Sequence, residues 1–134
     1  MKVFISTSAT FYDKVSPVIK QLELAGHVVI PPNGFGIDVD ESMMRDGANH
    51  QVWKEQMLRE DIRLVKSCDA ILVLNFEKNG HPNYVGASAF LELFKAFELN
   101  KKKFILNPLP GGSYYDELLG MNPKVINGDL WLVN

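Results

Sequence analysis

Asp61 and Glu92 are the residues whose types and placement could do chemistry in this chain. Set at 100° intervals along a helix expected over His50–Ser67, Met57, Leu64, Val65 and Cys68 share one arc, and Asp61 falls in the middle of it. In the next helix Val85, Ala89, Leu93, Ala96 and Leu99 form the inward arc and Glu92 lies among their directions, whereas Lys95 and Glu98 point outward. Ionised carboxylates are not left in a core without partners, because desolvation is costly. Each acid therefore has either a structural hydrogen-bond partner or a job. An inward acid beside a cleft is a candidate nucleophile or acid/base, since apolar surroundings and a neighbouring acid raise its pKa. Two acids facing one cleft is the arrangement glycosidic-bond chemistry uses, one as nucleophile and the other as proton donor or positioning group. The plainer alternative for Glu92 is an acid paired with backbone or with a lysine at the helix edge.

The elements that must position these acids follow from the hydrophobic pattern. The β-branched run KVFIST (2–7) reads as a buried strand, followed by a polar loop, Ser8-Ala9-Thr10, and a helix with Ser16 as cap, Pro17 in its first turn and Gly26 as its stop. HVVI (27–30) is a short second strand, ended by Pro31-Pro32-Asn33-Gly34. Residues 35–49 carry Asp38, Asp40, Glu41 and Asp46 without periodicity and read as a solvated lid; the spacing does not match an EF-hand. After the helix over His50–Ser67 come the strand AILVLN (70–75), the loop FEKNGHPNY, an apolar helix over 85–100 and the strand KFILN (103–107). The tail holds a Pro/Gly turn, a short helical piece SYYDELLG and the strand-like pieces KVI and LWLV. Strands alternating with helices make an α/β protein, a mainly parallel sheet covered on both faces. Ligands of such sheets bind at the carboxyl ends of the strands, near the switch in strand order, so the loops after Thr7, Ile30, Asn75 and Asn107 are the ones to watch.

Length and composition set the outer bounds. The 134 residues fit one domain, expected over 1–134, and 46% hydrophobic with 22% charged residues is a globular composition. No apolar run approaches the roughly 20 residues a membrane helix needs. The start, MKVFIST, lacks the features of a secretory signal, which points to the cytoplasm. A single cysteine, Cys68, and three histidines form neither an internal disulfide nor a zinc set, so no metal and no cofactor is expected. A net charge of −2 disfavours a nucleic acid polymer as partner. Ser6, Thr7 and Ser8 could offer hydroxyls and amides to a phosphate or sugar, although ordinary loop chemistry also explains them. Trp53 and Met57 read as core rather than as base-stacking residues, and His81 as a solvated loop histidine over the cleft.

At this point the residues resemble the nucleoside 2-deoxyribosyltransferase superfamily, which includes 2′-deoxynucleoside 5′-monophosphate N-glycosidases. The resemblance rests on the first strand and its loop, KVFISTSAT, on D-I-R-L-V-K-S-C-D-A-I-L-V-L from Asp61, and on G-x-x-x-F-x-E-L-x-x-A from Gly86 followed by N-K-K-x-F-I-L. It implies a doubly wound three-layer sandwich, flavodoxin- or Rossmann-like, with a five-stranded sheet. It also implies that Glu92 is the nucleophile on the anomeric carbon, that Asp61 works beside it and that Asp69 organises the helix–strand junction. Ser6, Ser8, Asn83, Gly86 and Ser88 are the implied substrate-binding residues. The implied partner is a small nucleoside or nucleotide, the implied assembly a homodimer or larger, with Tyr114-Tyr115-Asp116-Glu117 reaching a neighbouring subunit's site. The chain departs from the pattern in three places. Phe4 stands where the family has a nucleophile-orienting tyrosine, a role left to Tyr12, Tyr84 or Tyr114; Ser8-Ala9-Thr10 lacks the arginine of the nucleotide-cleaving members; and one extra residue separates Gly86 from Glu92. Two rival readings follow: a catalytically silent nucleotide-binding or sensor domain on the same fold, and a TIR-like NAD-cleaving domain.

Overall fold

In the computed structural model, which describes residues 1–37 and 49–134, five parallel strands run in the order β2-β1-β3-β4-β5. They are β1 (Lys2–Ser6), β2 (Val28–Ile30), β3 (Ala70–Val73), β4 (Lys102–Ile105) and β5 (Lys124–Val125). The helices are α1 (Val15–Leu24), α2 (His50–Ser67), α3 (Ala87–Glu98) and α4 (Tyr115–Met121). The expected doubly wound, three-layer α/β sandwich is thus the fold. The acidic stretch around Asp38–Asp46, read as a lid, lies outside the described residues.

Strand alternation sorts the core into two layers. Val3 and Ile5 of β1, with Leu72, Phe104 and Ile126, pack against Val15, Val18 and Leu22 of α1 on one face. Phe4, with Ile71, Val73 and Ile105, packs on the other face against Val65 of α2, Ala89, Leu93 and Ala96 of α3, and Leu118 of α4. Ser6, two residues beyond Phe4, points to the same side as Phe4, beneath α2 and α3. Connections from β1 run first to β2 on one flank and then to β3 on the other, so the switch in strand order falls between β1 and β3.

Three local expectations are corrected. The polar loop after β1 is a 3-10 helix over Ala9–Lys14 that runs into α1, so Ser16 is no cap. The cause is Phe11, 2% exposed and edge-on to Phe76 at 5.4 Å between ring centroids, which draws the loop down onto the sheet. LWLV is a 3-10 turn over Leu130–Leu132, not a strand: Leu130 and Val133 are buried while Trp131 is exposed, a spacing of three that a strand cannot satisfy. The Asp129 carboxylate caps it by accepting from the Trp131 amide. The apolar helix is shorter than its pattern, because Gly86 caps it at one end and Leu99 at the other.

Candidate active site

Because α2 and α3 run back against the strands they connect, their amino-terminal halves overhang the carboxyl ends of β1 and β3. A cavity of about 330 Å³ opens there. Its floor carries Asp61 and Glu92, 9% and 7% exposed. The two carboxyls lie against one another, and each moves the titration of the other. Glu92 Oε1 also accepts from the Ser6 hydroxyl at 2.7 Å, and Asp61 Oδ1 from the Asn33 amide nitrogen at 2.9 Å.

Burial pushes the Glu92 carboxyl well above the usual carboxylate range, the Asp61 charge pushes it the same way, and the Ser6 hydrogen bond pulls it back. Burial also raises Asp61, against the lowering effect of Asn33. Lys54, in the cavity wall, favours the ionised form of both. Two acids in contact at low exposure cannot both carry full charge without a large penalty, so the pair holds one proton more tightly than isolated carboxyls would. One proton shared by two carboxyls makes one member a base or nucleophile and the other an acid.

Of the residues expected in the site, Ser8, Gly86 and Ser88 line the cavity with Asp61 and Glu92. Ser6 and Asn83 do not. Ser6 is fully buried under Glu92, and Asn83, with a left-handed backbone at φ 57°, turns its carbonyl to the side-chain amide of Asn75 at 3.4 Å. Asp69 sits away from the cavity and accepts from the Lys2 amide at 2.7 Å, joining the start of β1 to β3. His81 is exposed and closes a tight turn with Lys78 through its backbone. Trp53 and Met57 are half-buried and line the cavity, which corrects their reading as core; they stand on the part of α2 that extends past the strand ends, where no sheet lies beneath them.

Asn33, Tyr12, Lys54, Lys78 and Tyr84 also line the wall, and no motif of the sequence marks them as ligands. Asn33 was readable only as the end of a strand, in Pro31-Pro32-Asn33-Gly34. The turn it belongs to needs Gly34 at φ +91°, close to the Tyr12 hydroxyl and to Met57. Tyr12 donates to the Asn33 carbonyl at 2.7 Å, and the Asn33 amide also reaches the Met57 carbonyl at 3.1 Å. The loop after β1, the loop after β2 and α2 are thereby tied around Asp61. Among the described residues no group of three or more His, Cys, Asp or Glu is placed to hold a metal ion, and no helix is long and apolar enough to cross a membrane.

No family model matches the chain, and no curated protein does at a significant level. Among solved structures it is similar to the 2-deoxyribosyltransferase of the psychrotolerant bacterium Bacillus psychrosaccharolyticus, with a TM-score of 0.56 and 13% sequence identity. The likeness spans 93% of this chain and 98% of that one. At that identity the likeness is one of fold, and it agrees with the family resemblance read from the motifs.

Proposed function

We propose that this chain, on a fold it shares with a 2-deoxyribosyltransferase, breaks the N-glycosidic bond of a nucleoside or nucleotide in the cytosol, passing the sugar to water or to a second base. The observation that carries the reading is the contact between Asp61 and Glu92 at the floor of a cavity at the β1/β3 switch point. The resting pair favours its proton on Glu92; once that proton has passed across the contact to Asp61, a Glu92 carboxylate oxygen attacks the anomeric carbon as the carbon–nitrogen bond breaks. The bonding pair leaves with the base, which takes the Asp61 proton, and the sugar remains as an ester on Glu92. Water then attacks the anomeric carbon, its proton passes to the Asp61 carboxylate, and the Glu92 carboxylate is released. A base attacking in place of water gives transfer. Ser8, Ser88 and the backbone at Gly86 supply polar contacts to the sugar side of the cavity, and Trp53 and Tyr84 supply apolar faces for a base.

The exposed apolar side chains Leu91, Phe94 and Phe97 on α3 and Leu119 on α4 support a homodimer or larger assembly, which sedimentation at several concentrations tests. The catalytic reading is tested by chromatographic detection of free base from a mixed panel of nucleosides, nucleotides and NAD, with Glu92→Ala as control. Base release that is lost in the control supports it, and undiminished release in the control sinks it. Phe4, fully buried where the family has a tyrosine, favours the silent sensor as second reading. Tight binding from the panel with no turnover is the result that selects it.

A further inference from the structure

Glu92 is held by a hydroxyl that no part of the catalytic reading has used. Ser6 is the last residue of β1, 0% exposed, and its Oγ donates to Glu92 Oε1 at 2.7 Å across 86 positions of sequence. The mount is rigid. Ser6 is in register with Val73 of β3, its carbonyl accepts from the Leu74 amide at 2.9 Å, and the next side chain, Thr7, donates to the Leu74 carbonyl at 2.7 Å. Phe4 lies two residues earlier on the same face with a ring that carries no donor. Ser6 is absent from the cavity wall, so it reaches the reaction only through Glu92.

We propose that Ser6 is the positioning residue of the Glu92 nucleophile, supplying from one pleat further along β1 the hydroxyl that Phe4 lacks. The inference rests on Glu92 being the nucleophile. One donor fixed on Oε1 sets the plane of the carboxyl and so the place of Oε2, which is the geometry an attack on a single carbon requires. If Oε2 forms the ester, Oε1 becomes its carbonyl oxygen and keeps the Ser6 bond. When water displaces the sugar, negative charge returns to the carboxylate and the same donor stabilises it, so the bond is strongest where charge develops. A hydroxyl that donates to the ionised form also offsets part of the burial that keeps Glu92 protonated.

The test measures base release against pH for the wild type, Ser6→Ala, Ser6→Cys and Glu92→Ala, each confirmed as folded by its thermal midpoint. Ser6→Ala is expected to lower kcat by about 10- to 100-fold, less than the loss of a full oxyanion donor, with little change in KM. It is also expected to move the acid limb of the profile to higher pH. Ser6→Cys keeps the volume but has a weak S–H donor, so its limb should fall between the other two. The Glu92 carboxyl titration, followed by side-chain carbon NMR, should move in the same order. Three results overturn the inference: an acid limb that stays in place in Ser6→Ala, a rise in KM at unchanged kcat, or a Ser6→Cys variant indistinguishable from wild type. Full activity in Glu92→Ala is a different failure, because it removes the nucleophile assignment itself and the positioning role with it.

Discussion

Two buried polar clusters stand side by side at the carboxyl ends of the central strands, and they are built on opposite principles. At the end of β3, the side chain of Asn75, 0% exposed, accepts from the Asn107 amide at 2.8 Å and donates to the Asn107 and Pro108 carbonyls at 3.2 and 3.1 Å. Asn107 returns its own side-chain amide to the Asn75 carbonyl at 3.0 Å. This cluster is neutral, reciprocal and away from the cavity; it closes the β3–β4 end. The second cluster, Ser6–Glu92–Asp61–Asn33, joins β1, α3, α2 and the loop after β2, places two acids in contact and faces the cavity. A saturated neutral network stabilises, whereas a pair of acids with raised pKa values stores a cost that only a ligand or a reaction makes use of.

The sharpest way to break this contrast is to remove one member from each side. Glu92→Ala should abolish base release, by on the order of 10³-fold or more, while the protein melts no earlier than wild type, since a desolvated acid has gone. Calorimetry and single-turnover base release check the two halves. A large loss of stability would place Glu92 with Asn75 as structure. Asp61→Asn is expected to lower kcat by about 100-fold through loss of the proton donor. It should also shift the acid limb of the pH profile downward, because the like charge that raises Glu92 is gone. An unshifted limb would show that the two acids do not interact in solution.

On the saturated side the expected effect is on stability alone. Asn75→Ala leaves the Asn107 amide and the carbonyls of Asn83, Asn107 and Pro108 without their Asn75 partner, a cost of about 2–4 kcal/mol read from urea unfolding. The kcat of the molecules that remain folded should stay near the wild-type value. A variant that kept its stability but lost activity would invert the assignment of the two clusters.

How much of this was legible before the fold was known differs between the clusters for a physical reason. Helical periodicity put Asp61 and Glu92 on inward arcs, because a 3.6-residue repeat reports which side of a helix is buried. Strand and helix order carried the doubly wound architecture, since a parallel strand needs a crossover. Periodicity does not report how far a helix extends past the sheet, and so Trp53 and Met57 read as core when they line the cavity. Nor does it report pairing across long separations: Ser6 meeting Glu92, Asn33 meeting Asp61 and Asn75 meeting Asn107 are products of topology. Ser6 was visible as a polar residue in an apolar strand, a signal of burial with a partner, but the same signal suits a ligand contact. Phe11 and Leu130 show the same limit in the loops, where one buried side chain turned an expected loop and an expected strand into 3-10 turns.

The smallest expected effect is also the one that separates the clusters without reference to any substrate. Glu92 and Asp61 both titrate above their unfolded values, so the folded protein binds a proton more tightly than the unfolded chain does. Their contribution to stability is therefore fully present below the ordinary carboxyl range. It is lost as pH rises from that range through the raised value of the pair, a slope opposite in sign to that of a salt-bridged carboxylate. Asn75 carries no proton and adds no slope. Urea unfolding of Glu92→Gln across that window should be flatter in pH than wild type, with the two curves meeting most closely at the acid end. The Asn75→Ala curve should run parallel to wild type and below it throughout. Parallel curves for all three proteins would mean that the acid pair is not protonically strained, and the functional reading of the cavity would lose its electrostatic support.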